Sequence, residues 1–130
     1  MSFNDNAFVF SHPIDNQYIL ELYAGDYVMI GETFADVLQD YDGFVQKVYS
    51  SYEEKDLAAL KGAVHKIKPL FGFVGLVAIE SQCLRFENTC QSATPTNLDA
   101  DFTVLKNSLI QARKIIETEK ERLLRFNAQF

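Results

Sequence analysis

Apolar residues recur three and four positions apart along most of the chain, and no stretch alternates apolar with polar for more than a few residues. From Tyr27 to about Ser51, the residues Ile30, Phe34, Val37, Tyr41, Phe44, Val48 and Tyr52 share one stripe. That predicts a long helix with one buried face, capped by Asp26 and weakened locally at Gly43. Leu57, Leu60, Val64, Ile67, Phe71 and Val74 predict another from near Asp56 to a break near Gly75. A further helix is expected from about Val77 to Ser92, with Ile79, Cys83, Phe86 and Cys90 inward. The last spans about Asp99 to Phe126 with Phe102, Leu105, Leu109, Ala112, Ile116 and Leu123 as its stripe. Ahead of these four, "HPIDNQYILELYAG" predicts a short helix opened by Pro13 or Asp15 and closed at Gly25, with Ile14, Tyr18 and Leu22 on one face.

The connections are short, and the clearest loop is "SATPTNLD" around Pro95. Short connections favour sequential antiparallel helices. The expected fold class is therefore all-α, an up-and-down antiparallel four-helix bundle with a short extra N-terminal helix as a lid. Residues 1–13 are read as an N-terminal extension and 14–127 as the domain. A length of 130 residues suits one domain with one core.

Composition narrows the function classes. With 48% hydrophobic and 23% charged residues the chain is globular, and its net charge of −6 disfavours wrapping nucleic acid or an anionic membrane. The start, "MSFNDNAFVF", lacks the basic and apolar regions of a signal peptide, and no later run reaches the length of a membrane span. A cytoplasmic location is expected. Cys83 and Cys90, seven residues apart, match neither a zinc spacing nor a redox pair and are expected as reduced thiols in or near the core.

The stretch "AVHKIKPLFGFVGL" departs from ordinary helix composition. Gly costs about 1 kcal/mol and interior Pro about 3 kcal/mol relative to Ala in a helix, yet Pro69, Gly72 and Gly75 all fall here, with Gly62 just before. At about 100° per residue, His65 points roughly 140° away from the apolar stripe. It is expected to face solvent among Lys61, Gly62, Lys68 and Pro69. A neutral imidazole is nucleophilic near neutral pH without a dedicated base, and the neighbouring Lys61, Lys66 and Lys68 favour that neutral form. Lys68, one turn away, is placed to neutralise an arriving anion. Small neighbours let a partner approach closely.

His65, Ile67, Lys68, Gly72 and Gly75 in "HKIKPLFGFVGL" resemble the signature of histidine-containing phosphotransfer (HPt) domains, His-x-Leu/Ile-Lys-Gly with a further Gly ten residues after the His. The resemblance runs from about Ile14 to Phe126. "LELYAGDYVMIGETF" resembles the lead into the second helix, and "CLRFE" at Cys83 to Glu87 a motif of the fourth. It implies a four-helix bundle in which His65 takes a phosphoryl group from a receiver-domain aspartate and passes it to another receiver, with Lys68 neutralising charge. Gly72 and Gly75 would be close-approach and packing positions. The partners implied are response-regulator receivers and a hybrid sensor histidine kinase. Magnesium would belong to the receiver, so no cofactor and no metal are expected on this chain, which is read as a monomer. One departure is Pro69, where the family most often has Gly; lacking an N–H, it leaves the His65 carbonyl without its helical partner and is expected to bend or loosen the helix.

No Gly-rich phosphate loop or kinase nucleotide signature is present, so the chain is expected to be a carrier rather than an ATP-using enzyme. A metal site is disfavoured because the other histidine, His12, lies outside the bundle pattern. A hydrolase is disfavoured because no carboxylate lies one turn from His65 on its own helix. The alternative from another class is a non-catalytic helical module that docks a partner through Pro69, Phe73 and Leu76. The partner surface is expected to comprise Lys61, Gly62, Lys68, Pro69, Gly72, Phe73 and Leu76.

Overall fold

The computed structural model describes residues 7–92 and 98–130, so most of the loop predicted around Pro95 lies outside the described residues. Five helices follow one another: α1 (Asn16–Leu22), α2 (Tyr27–Glu53), α3 (Leu57–Phe73), α4 (Val77–Gln91) and α5 (Leu98–Asn127). Three begin alike. Asp15, Asp26 and Asp56 each accept a hydrogen bond at 3.0 Å from the backbone N–H three residues on, satisfying a donor that the first helical turn leaves free.

Three helix ends are also alike. After α3, the N–H of Leu76 donates to Phe71 O at 2.8 Å and that of Gly75 to Gly72 O at 3.3 Å, with Gly75 at φ +75°. This paired closure turns the chain sharply and sends the residue after the left-handed position back onto the helix. Ala24 and Lys55, at φ 52° and 58°, occupy the left-handed position after α1 and α2.

The helices α2 to α5 form the bundle, with α2 packing on α3 and α5, and α4 on α3 and α5. Neighbours run antiparallel: Gly31 near the start of α2 meets Leu123 and Leu124 near the end of α5, while Tyr52 at the other end of α2 stacks on Phe102 near the start of α5. The predicted stripes of α2 through α5 line the core, with Phe44, Tyr52, Leu57 and Ile79 half-buried at its margins. The core also takes in Glu87 and Glu119, which hydrophobic periodicity alone does not flag.

Two expectations are corrected at the N-terminus. The face of α1 turned inward carries Ile19, with Ile14 buried just ahead of the helix, while Tyr18 and Leu22 are exposed. The reason is that Asp15 N–H donates to Gly75 O at 2.9 Å, which fixes this seven-residue helix against the α3–α4 turn with Ile14 and Ile19 over Gly75. The described part of the extension, residues 7–13, is also integral to the fold. Phe8 and Phe10 are buried, Phe10 against Phe34 and Phe8 against Phe126, both with ring centroids 5.5 Å apart. The buried Glu119 carboxylate accepts from Ser11 N–H at 2.5 Å and Arg122 at 2.7 Å, tying that segment to α5. Cys83 and Cys90 are both buried and unpaired.

Candidate functional site

His65 projects from the middle of α3 with its side chain 67% exposed. That exposure follows from register, because Val64 and Ile67 beside it are both at 0% and fix the opposite face in the core. Its Nδ1 lies 2.8 Å from Oε1 of Glu87, which reaches across from α4 and is itself buried. Lys68, one turn along α3, sets its Nζ 2.8 Å from the other carboxylate oxygen, Oε2, of Glu87. This contact is an ion pair without the alignment of a directed hydrogen bond among the described residues. Burial pushes the Glu87 carboxyl up, but the contacts and charges of Lys68 and His65 outweigh it and hold the group below its ordinary value.

An ionised carboxylate can only accept, so the His65 nitrogen facing Glu87 must be the one that donates. The neutral ring then carries its proton on Nδ1 and its lone pair on Nε2, at the ring edge away from Glu87. Lys68 Nζ also approaches Nδ1 to 3.5 Å, but it has no acceptor there while that nitrogen's proton is engaged. The triad of imidazole, carboxylate and ammonium presents a single open nucleophile to solvent.

Around it the surface is low. A Cβ on Gly62 would meet no atom within 4 Å, so this glycine answers no packing need inside the chain. Pro69 and Phe73 follow His65 at four-residue intervals and are exposed, Phe73 at 50%. α3 continues through Pro69 to Phe73, so any loosening at that residue does not end the helix. Between α2 and α3, beside Gly62 and Lys66, runs a groove of about 700 Å³ floored by Gly43, Phe44 and Ala63. A second, of about 480 Å³, is bordered by Leu22, Val37, Leu70 and Phe73.

Two residues expected on the partner surface are elsewhere. Leu76 is 1% exposed, because the closing turn at Gly75 folds it back into the core. Gly72 is buried beneath Glu80 of α4, whose Oε2 would stand 2.5 Å from an added Cβ. It serves helix approach rather than partner contact. Gly75 lies under α1, where an added Cβ would stand 2.5 Å from Ile19 Cγ1. Lys68 is engaged by Glu87 rather than standing free beside the ring.

Glu87 is the site residue that the helix-face argument misses, since it comes from a neighbouring helix. Its position four residues after Cys83 and three before Cys90, on the buried stripe of α4, is the signal that could have found it.

The family model described as "Hpt domain" matches residues 32–115, a span holding His65, Lys68 and Glu87. The chain belongs to the Hpt domain family. Hpt domains are phosphocarriers of His–Asp phosphorelays, acting between receiver domains and kinases. No curated protein and no solved structure matches this Hpt chain. Among its described residues no helix is long and apolar enough to cross a membrane, and no group of three His, Cys, Asp or Glu side chains is close enough to hold a metal ion.

Proposed function

We propose that this Hpt protein accepts a phosphoryl group on His65 from the aspartyl phosphate of one receiver domain and delivers it to the aspartate of another. The observation that carries the reading is the exposed imidazole whose Nδ1 is held 2.8 Å from a buried carboxylate, leaving Nε2 as the open nucleophile. Phosphoryl transfer is largely positioning and charge stabilisation. Nε2 supplies the attacking pair, and Lys68, within a turn, swings from Glu87 to the incoming phosphoryl oxygens. Its attraction rises from about 1 kcal/mol in water at 4 Å to about 4 kcal/mol at an effective dielectric of about 20 once the docked receiver excludes solvent. The receiver brings the acidic pocket and its magnesium ion, and this chain acts as a cytoplasmic monomer.

The docking surface in this reading is Lys61, Gly62, Pro69 and Phe73, to which the exposed Leu22 is added. Lysines at one edge suit the acidic rim of a receiver pocket, and the apolar residues give the contact its burial. Incubation with a phosphorylated receiver should place an acid-labile, alkali-stable label on the chain. His65→Gln should remove that label while leaving helix content unchanged and costing no more than the one hydrogen bond to Glu87, about 1 kcal/mol of stability. Stable receiver binding without label on the wild type would instead make the chain an interaction module.

A further inference from the structure

The Nδ1 contact has a second use once Nε2 is occupied, and here the argument rests on the carrier reading above. When the Nε2 lone pair attacks phosphorus, the N–P bond forms and the P–O bond to the receiver's aspartate breaks, its electron pair leaving on the carboxylate. The proton on Nδ1 has not moved, so the phosphorylated ring is cationic. On the outward leg a second receiver's carboxylate oxygen attacks phosphorus, the P–N bond breaks, and its pair returns to Nε2. If Nδ1 still holds its proton, the leaving group is neutral imidazole. If that proton has gone to solvent, the leaving group is an imidazolate anion, a far poorer one.

We infer that Glu87 is a positioning residue that retains the Nδ1 proton of His65 through the whole phosphoryl cycle, so that one hydrogen bond serves both acceptance and delivery. The geometry for this is present: Oε1 is 2.8 Å from Nδ1, and the carboxylate is buried, where it competes with little water. Lys68 is the counterweight. While it is paired to Oε2 at 2.8 Å it drains charge from the carboxylate. Its departure to the phosphoryl group leaves the carboxylate's charge to the Nδ1 proton, at the moment the ring becomes cationic.

The other groups facing this pair leave its charge balance unchanged near neutral pH. The Cys83 and Cys90 thiols flank Glu87 on α4; burial first, and the charge of Glu87 second, push them up to about 12 and about 11, so they stay protonated. Glu80 and Lys61 act on those thiols, and Lys66 lies on the solvent side of α3. α2 presents Asp40 and Lys47 across the neighbouring groove. Among the described residues, the charges acting on Glu87 are those of Lys68 and His65, with none from α2 or α5.

The test is a pH profile. Wild type, Glu87→Gln and Glu87→Ala are labelled from a receiver domain charged with acetyl phosphate, freed of it, and mixed with fresh receiver from pH 6 to 9. Taking each variant's rate relative to wild type cancels the receiver's own titration. A ring without its carboxylate loses its proton in the ordinary imidazole range near pH 6.5, about tenfold per further unit, and a charge-assisted hydrogen bond displaces that loss by about one to two units. The relative rate of both variants should therefore fall about five- to twenty-five-fold between pH 6.5 and 8.5, less for Gln, whose amide oxygen still accepts. A ratio constant across this range overturns the inference while leaving the carrier reading intact, whereas absence of label on the wild type overturns both. Wild type carries an independent check by nitrogen NMR: Nδ1 of its phosphohistidine stays mostly protonated at pH 7, and a mostly deprotonated Nδ1 there is equally fatal.

Discussion

Gly75→Ala tests how the fold presents the site. The residue sits at φ +75° and closes α3, and an added Cβ would lie 2.5 Å from Ile19 Cγ1 and 3.0 Å from Ile14 Cγ2. Holding a non-glycine residue in the left-handed region costs about 1–2 kcal/mol. Forcing a methyl into a filled contact costs about 1–3 kcal/mol more. The neighbours have little room to yield, because both are core residues and Asp15 N–H is anchored on the Gly75 carbonyl at 2.9 Å. The expected loss is about 2–5 kcal/mol. For 130 residues the unfolding entropy near the midpoint is about 0.27 kcal/mol/K, so thermal unfolding followed by circular dichroism should show a midpoint lowered by about 7–18 °C. α1 should also loosen from Phe73, whose carbonyl accepts from Tyr23 Oη at 2.7 Å, and with it the exposed Leu22. A midpoint within about 2 °C of wild type would refute both the close contact and the strain argument.

Gly62→Ala should act in the opposite sense on stability, because open space surrounds that position. Removing a helical glycine gains up to about 1 kcal/mol, a rise of a few degrees in the same assay, while the new methyl beside His65 slows transfer from a phosphorylated receiver; unchanged transfer would take Gly62 out of the docking surface. Lys68→Ala should slow transfer without abolishing receiver binding measured by calorimetry, at a stability cost of about 1–2 kcal/mol because Glu87 loses its ion pair. Equal transfer rates would remove the electrostatic role of Lys68.

Periodicity made the four long helices legible to within a few residues, since each has to bury a stripe that repeats with the helical turn. It also placed His65 on the open side, a matter of angle within one helix. The misreadings have one physical origin, in that they depend on what a different element supplies. Tyr18 and Leu22 face outward, against the periodicity, because α1 is too short for its pattern to outweigh the anchor at Gly75. Leu76 is buried where the helical angle points it outward, because that angle does not describe a residue folded back by a left-handed turn. Gly72 looked like a cleared surface until α4 laid Glu80 over it. Glu87 was invisible as a partner of His65 because a neighbour 22 positions away is set by helix pairing rather than by spacing along α3.

The central claim is that the Nε2 edge of His65 carries the phosphoryl group while Nδ1 rests on Glu87. The most direct measurement is to label the protein from a phosphorylated receiver, map the labelled peptide, hydrolyse it in alkali and separate the two phosphohistidine isomers. The account predicts label in the peptide containing His65, recovered as the Nε2 isomer. Label on another residue, or recovery of the Nδ1 isomer from His65, would contradict it.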